Sequence, residues 1–272
     1  MFNLKKYQAS AITQLNELKG EVNFDMPWRE FAGVSREICD YFLALSSASL
    51  LCDFKPALFF TNLSRGAENW RRFLMASQLS YQQQASLQYH LPLFAAITAN
   101  QKSLVDGIRV VLPVNWQKGK GYQSVFHSTW LYTLIFNNQC IVSTEIESHL
   151  KILETCEIDE NRRLMFTALL GLNELTEPDF WQYFEQMLMV HEESVFTMLD
   201  SSAIQVKKFA AQRYIWLEGL AVLRLAKMKG FTLPSKGILF CPDEALVDYT
   251  PSYAGDWPLI PLPQANVEEG KV

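Results

Sequence analysis

The sequence is most informative first in what it lacks. It has five cysteines (Cys39, Cys52, Cys140, Cys156 and Cys241), an odd number, widely spaced and without a C-x-x-C pair. That usage argues against a disulfide frame or a zinc site and points to reduced, mostly buried thiols. No uninterrupted apolar run approaches the ~20 residues that span a bilayer. The N-terminal MFNLKKYQAS carries two lysines with no apolar stretch behind them, unlike a secretory signal, so a cytosolic location without membrane contact is expected. There is also no basic field to attract nucleic acid. Residues 242–272 hold six acids (Asp243, Glu244, Asp248, Asp256, Glu268 and Glu269) against Lys271 alone, which accounts for the whole net charge of −5.

Reaction signatures are missing as well. There is no nucleophile elbow, no phosphate loop and no Asp-Asp-x-x-Asp cluster; the GKG at 119–121 lacks the flanking glycine and the Lys-Ser/Thr that a phosphate loop needs. His191-Glu192-Glu193 begins like a zinc-protease helix, but Val195 stands where the second ligand belongs, so His191 reads as a core or boundary histidine. Glu145 and Glu147 precede His149 at separations of four and two, not the three of a helical carboxylate metal site. No cofactor or metal is implied.

What is present is apolar substance: 49% hydrophobic and 13% aromatic residues, enough for a thick core. The stretch Gln205–Gly230 organises it. From Tyr214 to Ala226 it is apolar on nearly every face, interrupted by Glu218, Gly219 and Arg224, and a helix without a solvent face has to be wrapped by others. Lys227 and Lys229 complement its carbonyl end, Gly230 is suited to a left-handed stop, and Phe231 can fold back. Glu218 and Arg224 read as charges paired with other helices.

The remaining chain reads as helices throughout. Leu4–Lys19 forms the first, ended by Gly20, and a packed apolar loop follows through Pro27. Ser35 is placed to cap a second helix whose small-residue centre, ALSSASL, admits a close neighbour. Asp53–Leu63 reads as a connection or a short helical turn, and Arg65–Asn100 as a long helix broken or kinked near Pro92. At 106–122, β-branched residues followed by KGKG read as a loop insertion. Phe126–Leu134 sets another helix, Thr144-Glu-Ile-Glu147 is a capping box, Asp159 caps the next helix, and Glu177-Pro178 opens another. Asp200-Ser-Ser begins the central helix. The expectation is an all-α domain over 1–246, a multi-helix bundle or degenerate helical array. Residues 247–272 form an irregular, Pro-rich acidic tail, packed through Trp257, Leu259 and Ile260 and disordered from Gln264.

Set together, the helix carrying His191, the long apolar helix WLEGLAVLRLAKMKGF and the segment ILFCPDEAL resemble the immunity protein 49 family of bacterial polymorphic toxin systems. A weaker echo lies in NWRRFLMASQLSYQQQASL at 69–87, and about a third of the chain is covered. The resemblance implies a cytoplasmic, non-enzymatic protein that neutralises a cognate toxin, such as a nuclease, by direct binding. Trp116, Asp243, Glu244, Asp248 and Asp256 are the residues placed for that surface, acids being suited to a basic cleft. A helical-repeat adaptor for an unrelated partner is one alternative. An all-helical enzyme is the other, and it requires a deep polar pocket uniting Glu218, Arg224 and His191.

Overall fold

The computed structural model describes residues 4–156, 160–200, 212–248 and 251–263. Over these residues the protein is all-helical. Ten α-helices run in the order α1 (Leu4–Glu17), α2 (Trp28–Leu51), α3 (Pro56–Leu79), α4 (Leu91–Thr98), α5 (Lys102–Val111), α6 (Gln123–Asn137), α7 (Thr144–Leu153), α8 (Glu160–Leu170), α9 (Glu177–Asp200) and α10 (Leu217–Lys229). A single 3-10 turn, Asp243–Ala245, and one isolated antiparallel bridge, Ile238 to Cys241, follow.

Helices α2 and α3 form the most extensive contact, an antiparallel pair on which α1 rests. The small residues of α2 make it close: a Cβ on Gly66 would stand 3.3 Å from that of Phe42. The buried hydroxyls of Ser46, Ser47 and Ser49 donate back to carbonyls three or four residues earlier (Leu43, Leu43 and Leu45), so they add no unpaired polarity to the seam. A second layer joins α4, α6, α8 and α10 into the main core.

Helix α10 sits at its centre. Gly219 through Ala226 are all buried, whichever side of the helix they occupy. Its end follows the sequence expectation: Gly230 takes φ +91°, and the Phe231 amide donates to the Ala226 carbonyl, closing the last turn. Its start does not. The helix begins at Leu217, and residues 212–216 are a turn and an extended strand-like piece; positions 201–211 lie outside the described residues. The reason is a competing bond. The Trp216 amide donates to the Phe240 carbonyl at 2.8 Å, holding the backbone extended at φ −92°, ψ 93°.

Five other boundaries differ from the sequence reading. Ser35 is no cap but a buried interior residue of α2, which starts seven positions earlier, directly after Pro27. Pro56 opens α3 rather than a connection, and Pro92 opens α4 after a non-helical stretch at 80–90; in both, proline occupies the first turn, where its missing N–H costs nothing. The start of the 106–122 stretch belongs to α5, whose Leu104, Val105, Ile108 and Val111 all face the core, so burial at helical spacing overrides β-branched preference. The cap of α7 is Ser143, one residue before the expected threonine, its Oγ accepting from the Ile146 amide at 3.3 Å. The expected cap Asp159 and the expected disorder beyond Gln264 lie outside the described residues.

The chain's last described piece returns to its beginning. Asn69 of α3 is fully buried; its Oδ1 accepts from the Leu259 and Ile260 amides, and its Nδ2 donates to the Trp257 carbonyl. Arg65 pairs with Asp256 and Arg72 donates to the Ile260 carbonyl. Leu259 and Ile260 thereby complete the cluster formed by α1, α2 and Phe31.

Candidate functional site

The polar cleft lies at the N-terminal end of α10. Glu218 is its centre, and both of its partners bond to the same oxygen: the Tyr132 hydroxyl of α6 donates to Oε1 at 2.8 Å and Arg162 Nε of α8 at 2.7 Å. Burial would raise this carboxyl, but Arg162, Tyr132 and the nearby His90 outweigh it and hold Glu218 below the usual carboxylate range. Glu218 is therefore an anion at neutral pH. Its Oε2 accepts no hydrogen bond among the described residues, and the side chain lines two adjoining cavities of about 430 and 510 Å³. These share Arg162, His191, Trp216 and Glu218.

The walls come from five other elements. His191 of α9 stacks on Trp216 (centroids 5.1 Å apart, planes at 15°) and meets the edge of Phe240. Desolvation lowers its pKa against a weaker opposing pull from Glu218, so the ring is neutral. From the 80–90 connection come Tyr89 and His90. The Tyr89 hydroxyl donates to Asp40 Oδ1 of α2 at 2.7 Å, and His90 Nδ1 donates to the Leu87 carbonyl at 2.8 Å, which fixes its tautomer. Arg36, one turn before Asp40, is exposed and lays its guanidinium over the Tyr89 ring at 5.1 Å. It forms no ion pair among the described residues.

Sequence reasoning had singled out Glu218, His191 and Arg224 as one test. The cleft unites the first two but not the third. Arg224 is buried more than one turn further along α10, where Nη2 donates to the carbonyls of Thr98 (3.2 Å) and Val247 (3.1 Å). Thr98 ends α4, so the cation's hydrogen bond goes to the carbonyl end of a helix. Arg162 takes the place Arg224 was expected to hold. It sits in the charged run ENRR, and nothing in that run identifies which arginine turns inward. Tyr132, Tyr89, Asp40, Arg36 and His90 likewise carry no motif; only the lone acid in an apolar helix announced that partners must exist.

The five residues placed for a partner surface scatter. Trp116 is half-buried against the body, its Nε1 donating to the Gly121 carbonyl at 3.0 Å. Asp256 is held by Arg65, and Asp248 by Lys227 at 2.6 Å. Asp243 and Glu244 are exposed on the 3-10 turn and form no ion pair among the described residues. Leu239 (52% exposed) and Val247 (39%) flank them, while Ala245 and Leu246 anchor the turn in the core.

A separate titratable pair joins α6 to α7: His127 and His149 approach Nδ1 to Nδ1 at 2.8 Å, with His149 stacked on Trp130. Among the described residues no group of three or more His, Cys, Asp or Glu is placed to hold a metal, and no helix is long and apolar enough to cross a membrane. The five cysteines are free thiols. Compared with models of known families, with curated proteins and with solved structures, the chain matches none.

Proposed function

We propose that the protein is a bacterial immunity protein that neutralises a cognate toxin in the cytoplasm by direct binding. The observation that carries this reading is the exposed edge at 239–248. There two acids without an ion pair among the described residues, Asp243 and Glu244, stand beside the exposed apolar side chains of Leu239 and Val247 on a turn pinned to the core by Ala245 and Leu246. A pre-ordered turn loses little freedom on binding, the apolar residues supply the buried centre, and the acids steer a basic partner such as a nuclease cleft. Asp248, Asp256 and Trp116 contribute less, because each is already engaged within the protein.

The test is co-expression with a toxin domain encoded beside its gene, scoring host survival and co-purification together. Rescue with a stable complex supports the reading, and the D243K/E244K variant then slows association roughly tenfold at low salt. Rescue without a complex, or no rescue, overturns direct neutralisation.

A further inference from the structure

We infer that the cleft at the start of α10 is a binding site for a free α-amino acid, its ammonium on Glu218 and its carboxylate on Arg36. This is independent of the toxin reading and uses a different face of the molecule's chemistry.

Four considerations lead there. First, Glu218 is half-used: Tyr132 and Arg162 both donate to Oε1, Oε2 accepts from none of the described residues, and the side chain lines the cavity. A fixed, desolvated carboxylate oxygen is a strong acceptor for an ammonium group. Second, Arg36 lines the same 430 Å³ cavity and has its guanidinium held flat over Tyr89, with no carboxylate in ion-pair range among the described residues. Tyr89 is itself fixed by its bond to buried Asp40, so the cation is positioned before any ligand arrives. Third, among the described lining residues two guanidinium groups, Arg36 and Arg162, are matched by two carboxylates, Asp40 and Glu218, alongside the imidazoles of His90 and His191. A polyanion such as a nucleotide would face two carboxylates, and a polycation two guanidinium groups. A molecule neutral overall with separated charges meets a complement at each end. Fourth, the volume is in the range of small-ligand sites, about 300–1,000 Å³. The adjoining 510 Å³ cavity, reached past Trp216 and His191, gives the ligand side chain somewhere to go.

The structure also separates this site from an ordinary buried ion pair. Arg162 and Glu218 satisfy each other, and that alone asks for no cavity; Arg36 contributes nothing to that pair and is exposed at the mouth.

The test is a thermal-shift screen of the full chain against the twenty free L-amino acids, each at about 10 mM, a concentration at which even a millimolar ligand raises the melting temperature. Any amino acid that stabilises is then titrated calorimetrically beside its C-terminal amide and its N-acetyl form. The expected result is binding of the free form, with each blocked form weaker by roughly tenfold or more, the loss of one charge-assisted hydrogen bond. Arg36→Ala, a surface change that leaves the core untouched, should abolish the difference between acid and amide while keeping that between amine and N-acetyl. Glu218→Gln should do the reverse. No stabilisation by any of the twenty, or binding that is indifferent to the amide and to Arg36→Ala, overturns the assignment.

Discussion

The Nδ1 atoms of His127 and His149 lie 2.8 Å apart, so one ring must donate and the other accept, and both cannot be protonated there. Desolvation, reinforced by the neighbouring ring, pushes His127 down to about 4, and desolvation lowers His149 too.

The pair makes the fold acid-sensitive. A histidine whose pKa is depressed by folding takes up protons first in the unfolded chain, so stability is intact above the unfolded value of about 6.5 and falls as pH drops toward the folded value. From His127 alone, lowering pH from 7.5 to 5 should remove on the order of 2 kcal/mol. Urea melts across that range should show the slope, and His127→Gln should flatten it. An unchanged slope in that variant would disprove the coupling.

Glu218 and Arg162 illustrate a buried pair that is costly to break. Glu218→Ala removes the carboxylate oxygen to which both Arg162 and the Tyr132 hydroxyl donate and should cost about 3–5 kcal/mol, whereas the joint replacement of Glu218 and Arg162 by methionine should cost much less than the two single changes added together. Chemical denaturation of all three variants decides this; additive losses would mean the two residues act separately.

Two glycines within helices should respond with opposite sign. A Cβ at Gly219 runs into the Trp216 indole, so the ring would have to give up its stacking on His191 and its contact with Phe184. Gly219→Ala should therefore destabilise by roughly 1–3 kcal/mol despite its better helix propensity. Gly33, on the exposed side of α2, has nothing within 4 Å of the corresponding position, so Gly33→Ala should stabilise by up to about 1 kcal/mol. Melting temperatures moving the same way in both would contradict this account.

Asn69 is the clasp of the C-terminal segment. Asn69→Ala strips three backbone partners from Trp257, Leu259 and Ile260 and should release that piece before the body unfolds. Limited proteolysis should then cut first within 251–263. Wild-type cleavage kinetics in the variant would rule out the clasp.

The helical class was legible because α3, α6, α9 and α10 bury apolar residues at helical spacing, and the end of α10 because lysines, Gly230 and Phe231 are local signals. Starts were harder. Ser35 is a good cap by type, yet its place is decided by Trp28 packing on Phe73 and Phe31 on Tyr81, residues 45 and 50 positions away. Ile108–Leu112 looks extended until α3 and α6 are there to bury it. The cleft was half legible: Glu218 stands out in an apolar helix, but its partner Arg162 is 56 residues earlier and no periodicity links them. Arg224 misled for the same reason, since its Nη2 donates to backbone carbonyls, which leave no trace in the sequence.

The return of residues 256–260 to α3 has a consequence for how the protein is made. Arg65, Asn69 and Arg72 wait for partners about 190 residues further along the chain. During synthesis from the N-terminus, α1 to α3 must emerge with that seat empty, and Phe42 lacks its edge contact with Trp257 until residues 256–260 clear the ribosome. The first helices to be born are the last to be finished, so a nascent chain truncated near residue 250 should be held by chaperones longer than its nearly complete set of helices would require.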